Sequence, residues 1–167
     1  SVAYAEPCRD EYFDNCEYGT LVDERDGQSY KTVKIGDQWW MAENLNFAYL
    51  QPTETRDSSS FCYDDDALNC EKYGRLYLWG AAMDSAAIYS DDGIGCGYIH
   101  GCNPAERVQG VCPQGWHVPT RTEFNVLYES VGGKDAKRKL MTVDEWSSCG
   151  TGCTDAYGFS VRPAGLF

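Results

Sequence analysis

The residues of this chain that could carry covalent or metal chemistry are nine cysteines and two histidines, His100 and His117. A catalytic cysteine must be a thiolate with a base beside it. Cys102 and His100 have the shortest Cys–His spacing, but they lie in a stretch punctuated by Gly93, Gly95, Gly97 and Gly101. There Cys96 and Cys102 read as the two ends of a crosslinked loop. No cysteine pair at zinc-finger spacing is followed by suitably placed histidines, so a structural zinc site is not expected. His117, between Trp116 and Val118, reads as a semi-buried imidazole. The expectation is a non-enzymatic chain whose sulfur is structural.

Nine cysteines in 167 residues would be hard to keep reduced, and a disulfide framework places the protein in an oxidising compartment. Local spacing pairs Cys8 with Cys16, Cys62 with Cys70, and Cys149 with Cys153. Cys96, Cys102 and Cys112 are left to share one bond and one unpaired thiol, and spacing does not choose among them. The odd thiol is available to a disulfide-linked partner. An extracellular or bacterial cell-surface location follows. Ala3-x-Ala5 has the small residues of a signal-peptidase site, which agrees with that location.

The formal net charge is −12, from 26 Asp and Glu against 14 Lys and Arg, so nucleic acid would be repelled. The densest basic cluster, Lys134, Lys137, Arg138 and Lys139, is short and reads as a solvated helix face. No apolar run approaches the roughly 20 residues that span a bilayer. The protein is therefore not expected to span a membrane. Asp64, Asp65 and Asp66 between Cys62 and Cys70 offer oxygens of the kind calcium takes. The run lacks the alternate acidic positions, central glycine and closing glutamate of an EF-hand loop. A solvated turn is expected, with no cofactor and calcium as the one candidate.

Recognition chemistry is better represented, because 14% of the residues are aromatic. Flat rings stack on sugar faces while Asp and Asn bind hydroxyls. Trp39, Tyr49, Trp79 and Tyr98 fall in or near predicted loops and are the candidate ligand-binding residues. The calcium-lectin tripeptides Glu-Pro-Asn, Gln-Pro-Asp and Trp-Asn-Asp are all missing.

The positioning elements follow from pattern. Residues 1–25 read as an N-terminal extension with its own disulfide, and residues 26–167 as one domain. Ser29–Ile35 has the β-branched content and alternation of a strand, and Gly36-Asp37 is a turn signal. A two-residue loop there pairs Ile35 with Gln38, Lys34 with Trp39, Val33 with Trp40 and Thr32 with Met41. Val33, Ile35, Trp40 and Ala42 then share one face, the expected core. Tyr30, Thr32, Lys34, Trp39 and Met41 share the other. Residues 51–60 have a loop composition, and Tyr77–Ala87 reads as a short buried helix or a strand running into one. The clearest helix begins at Thr120. Thr120 and Glu123 form a capping-box pattern, Phe124, Leu127, Tyr128 and Val131 make an apolar stripe, and Gly132-Gly133 stops it. A second short helix is expected over Asp135–Met141, and a strand from Phe159.

Four segments occur in an order that resembles the Fibrobacter succinogenes major paralogous domain. They are Lys34-Ile-Gly-Asp-Gln-Trp-Trp-Met-Ala-Glu-Asn-Leu-Asn46, Tyr73-Gly-Arg-Leu-Tyr-Leu-Trp79 with Ala81-Ala-Met-Asp-Ser85, Val111-Cys-Pro-Gln-Gly-Trp-His-Val-Pro-Thr120, and Thr154-Asp-Ala-Tyr-Gly-Phe-Ser160. The resemblance implies an α+β, C-type lectin-like fold, grouped with the formylglycine-generating-enzyme-like folds. Such a fold has a short twisted antiparallel sheet, two or three short helices and long disulfide-tied loops. It implies secreted or surface proteins of fibre-degrading bacteria with no established enzymatic activity. It also implies further strands of the Trp-Ser-Ser and Gly-Phe-Ser-Val-Arg kind beyond the chain's last residue. A domain lacking those strands would offer a sheet edge to a complementing strand.

Two functions remain open at this stage. One is a carbohydrate-binding or adhesive surface module for polysaccharide. The other is a structural subunit of an extracellular filament or envelope assembly, completed by another protein chain.

Overall fold

The Gly36-Asp37 turn closes a hairpin in the register that alternation predicts. In the computed structural model, which describes residues 2–50, 59–97, 101–150 and 152–165, β2 (Ser29–Ile35) pairs antiparallel with β3 (Gln38–Met41). Thr32 faces Met41, Val33 faces Trp40, Lys34 faces Trp39 and Ile35 faces Gln38. Gly36 takes φ +59°, as the first central position of a type II′ hairpin turn requires. A Cβ there would stand 3.1 Å from both Ser130 Oγ and Ala3 O. β1 (Tyr18–Val22) adds on the other side of β2, giving the order β1-β2-β3. Residues expected to form a separate extension therefore supply an edge strand of the sheet.

Contacts divide the chain into two units. The first holds residues 1–21, 29–44 and 121–163. Its core is the predicted hairpin face, Val33, Ile35, Trp40 and Ala42, closed by Leu127 and Val131 of α3 (Arg121–Ser130). Ala136 and Leu140 come from a 3-10 helix over Lys134–Leu140, and Ala156 and Tyr157 complete the cluster. Burying each large apolar side chain contributes roughly 1.5–3 kcal/mol. The Trp40 ring lies 5.3 Å from Phe124 and meets Phe159 edge-on at 5.8 Å.

The N-terminal segment is tied to this unit by more than its Cys8–Cys16 bond. Ala5 N donates to Ser130 O and Cys8 N to Ala156 O, both at 2.9 Å. Arg9 Nη1 reaches the buried Asp155 carboxylate at 2.7 Å. Phe159–Arg162 does not become a strand, because only Val161 forms a bridge, parallel with Met141.

The second unit holds residues 22–28, 45–120 and 164–167. β4 (Ser60–Phe61) pairs antiparallel with β5 (Leu76–Tyr77). β5 runs into the short α2 (Trp79–Ala82), the strand-into-helix alternative for this stretch. Of the predicted 51–60 loop, residues 51–58 lie outside the described residues, and Ser60 belongs to β4. The acidic run opens α1 (Ala67–Tyr73), which the sequence reading missed. Asp66 is its N-cap and accepts from Leu68 N at 2.9 Å. Two apolar clusters fill this unit, Phe47, Tyr49, Ala81 and Val111 in one and Met83, Cys96 and Val108 in the other. The fold is thus α+β, with short antiparallel sheets, few helices and four disulfides.

The two adjacent tryptophans of β3 separate by face, Trp40 at 8% exposure and Trp39 at 44%. Trp40→Ala should cost about 3–5 kcal/mol in a denaturant titration, whereas Trp39→Ala should cost about 1 kcal/mol or less. Equal costs would contradict the face assignment.

Candidate functional site

Eight cysteines are paired. Cys8–Cys16, Cys62–Cys70 and Cys149–Cys153 follow the local spacing, and Cys96–Cys102 resolves the remaining choice. Cys102, the sequence's nearest approach to a Cys–His pair, is therefore not a thiol, and His100 lies outside the described residues. The free cysteine is Cys112, half-buried. Burial pushes its thiol up to about 11, and the nearby Arg25 charge only partly offsets that. At neutral pH this thiol is therefore held protonated. Among the described residues no group of three or more His, Cys, Asp or Glu could hold a metal ion.

The four aromatic candidates differ in exposure and in the unit that holds them. Trp39 is exposed in the first unit, and Trp79, 53% exposed, starts α2 in the second. Tyr98 lies outside the described residues. Tyr49 is 1% exposed and cannot offer a ring face to a sugar, because its hydroxyl is drawn inward to donate to Asp84 Oδ1 at 2.5 Å. Burial, and then the adjacent carboxylate, raise the Tyr49 pKa and keep its proton in that bond.

Asp84 leads to a site that the sequence did not announce. It is fully buried, in the left-handed region at φ 52°, and no ion pair neutralises it among the described residues. Its oxygens instead collect Tyr49 Oη and three successive backbone amides, Ile88 N at 3.0 Å, Tyr89 N at 2.6 Å and Ser90 N at 2.8 Å. A carboxylate so satisfied tolerates burial. The price of leaving those donors unmade fixes the 84–90 loop and, with it, Tyr89.

The Tyr89 ring meets Phe47 edge-on at 5.4 Å and Tyr49 at 6.0 Å, and remains 40% exposed. The Arg25 guanidinium sits 3.8 Å from the Phe47 ring centre and 4.8 Å from that of Tyr89. Asp23, 1% exposed, grips Arg25 through Nε at 2.8 Å and Nη2 at 2.6 Å, and Nη2 also donates to Val111 O at 2.9 Å. Burial alone would lower the arginine pKa and raise that of the aspartate. The hydrogen bonds and opposite charge of the pair outweigh it, so Arg25 ends above and Asp23 below its ordinary value. Arg25 Nη1 is buried and finds no acceptor among the described residues.

These side chains wall a groove of about 570 Å³. Val22, Asp23, Glu24, Arg25, Tyr89, Gln109 and Gln114 line it. Gln109 is held by its own amide, N donating to Asp92 Oδ2 at 3.2 Å and Nε2 to Cys112 O at 3.3 Å. Gln114 and Glu24 are exposed. The volume suits a small ligand or a few units of a polymer. An aromatic face flanked by amides and a carboxylate can stack on one side of a ring and hydrogen-bond its edges.

The family model described as Fibrobacter succinogenes major domain matches residues 33–167. The chain belongs to this family. Neither a curated protein nor a solved structure gives a significant match. The matched stretch includes Trp146-Ser-Ser148 and Gly158-Phe-Ser-Val-Arg162. In this family member the matched stretch supplies Tyr89, Gln109 and Gln114 to the groove, whereas Glu24 and the Asp23–Arg25 pair precede it.

Two measurements check this geometry. Arg25→Met strands the Asp23 charge and should cost about 3–5 kcal/mol in a denaturant titration; a neutral substitution would refute the buried pair. Thiol labelling should find one reactive group per unfolded chain. In the native protein that group should react slowly at pH 7, with a rate rising about tenfold per pH unit towards pH 11, because the thiolate is the reacting form. Fast labelling at neutral pH would contradict the burial.

Proposed function

We propose that the protein is a non-catalytic carbohydrate-binding module of C-type lectin-like architecture, working outside the cell or on a bacterial surface. The observation that carries the reading is the Tyr89 ring, partly exposed on the wall of a groove whose accessible polar groups include the Gln109 and Gln114 amides and the Glu24 carboxylate. A sugar presents one apolar face and a rim of hydroxyls, and this lining offers one partner for each. The ring arrives pre-positioned, since its backbone is bound to Asp84 and the ring packs on Phe47 and Tyr49, so binding would order few groups.

Four disulfides favour an oxidising setting, and no helix among the described residues is long and apolar enough to cross a membrane. The non-catalytic reading draws on the protonated state of the single free thiol.

Affinity electrophoresis of the full chain against hydroxyethylcellulose, arabinoxylan and pectin tests the reading. Retardation by at least one polymer is expected, with Tyr89→Ala reducing it tenfold or more. Trp39→Ala and Trp79→Ala, outside the groove lining, should change it less than twofold. Absence of retardation by all three polymers removes the proposal, and loss confined to the tryptophan variants would move the site.

A further inference from the structure

We infer that the groove selects uncharged glycan chains and discriminates against uronic-acid polymers, with Glu24 as the residue that sets this choice. The inference rests on the carbohydrate-binding reading and adds to it the charge of the ligand. Three ionised groups line the groove, and two of them are spent on each other. Both Asp23 oxygens are taken by the Arg25 guanidinium, at 2.8 and 2.6 Å, so that pair presents almost no net charge to an incoming ligand. Glu24 is exposed and makes no ion pair among the described residues. The other lining side chains, Val22, Tyr89, Gln109 and Gln114, are neutral. The lining therefore carries one uncompensated negative charge, in a chain whose formal net charge is −12.

A uronate carboxylate brought near Glu24 meets like charge, with no unpaired cation among the described lining residues to receive it. Arg25 cannot turn to serve it. Its Nε and Nη2 are held by Asp23 and Val111 O, its guanidinium lies over the Phe47 and Tyr89 rings, and giving it up would leave Asp23 buried and unpaired. Two unit charges about 4 Å apart in water repel by about 1 kcal/mol, which is roughly a fivefold loss of affinity. The surrounding acidic surface adds to this along a polymer, and salt weakens both effects. Hydroxyl groups meet no such penalty. They can donate to Glu24 and accept from the amides, so the same carboxylate that repels a uronate is a hydrogen-bond partner for a neutral sugar.

The test uses matched polymers that share a backbone and differ in charge: arabinoxylan with glucuronoxylan, and hydroxyethylcellulose with carboxymethylcellulose. Affinity electrophoresis of the full chain at low salt should show the neutral member of at least one pair binding fivefold or more tightly than the acidic member. In 0.5 M salt the ratio should fall towards one. Glu24→Gln should narrow the ratio at low salt by about threefold or more. Glu129→Gln, which removes the same charge from the exposed side of α3, should leave it within error. Equal or tighter binding of the acidic members overturns the inference while leaving the carbohydrate reading standing, and so does a ratio that Glu24→Gln and Glu129→Gln shift alike. Failure to bind any of the four polymers removes the carbohydrate reading, and this inference with it.

Discussion

A buried carboxylate must find a donor for each of its oxygens or cost several kcal/mol, and in a chain made mostly of loops the cheapest donors are backbone amides. Asp84 binds three in succession and a tyrosine hydroxyl. The requirement runs in both directions. Amides in irregular segments have no helix or sheet ladder to satisfy them, and an aspartate at the loop's centre supplies the missing acceptors. Asp23 and Asp155 repeat the device. Asp23 accepts from Arg25 N and receives its guanidinium, while Asp155 accepts from Ser160 N and Oγ and receives Arg9. Each of the three is at most 2% exposed, and each holds a segment that has little regular structure of its own.

Sulfur acts at a different scale. The four crosslinks close loops of four to eight residues. In the chain-entropy model each such closure contributes roughly 2–3 kcal/mol by restricting the unfolded chain. The buried aspartates act on the folded side, choosing one loop conformation among those a crosslink still permits. The unpaired Cys112, near Arg25, is a protonated thiol, since a thiolate there would lose its hydration.

The groove shows what the arrangement makes possible. Its aromatic wall is held by a carboxylate that the ligand would never touch, and its one arginine is neutralised before any ligand arrives. Rigidity and charge are set separately. The Asp84 network decides where Tyr89 stands, and the Asp23–Arg25 pair decides that Glu24 alone gives the lining its sign.

Much of the first unit was legible in the sequence because its determinants are local. Gly36-Asp37 dictated the hairpin register, period-two alternation put Trp40 inside and Trp39 outside, and the stripe through Leu127 and Val131 marked the face of α3. Short cysteine spacings likewise named three disulfides. The strand expected at Phe159 failed because alternation supplies a face but not a partner, and only Val161 finds one. The groove was illegible for a related reason: residues 22–25, 89, 109 and 114 share no period or motif, and only folding brings them together. Tyr49 and Tyr89 are the same residue type in similarly irregular segments, yet one is buried on Asp84 and the other is open to solvent. Sequence alone determined which residues pair across a turn or along a helix, because those contacts depend on chain geometry over a few residues. Tertiary structure decided which aromatic ring faces outward and which charge stays unpaired, because burial and neutralisation depend on neighbours that the chain order does not name.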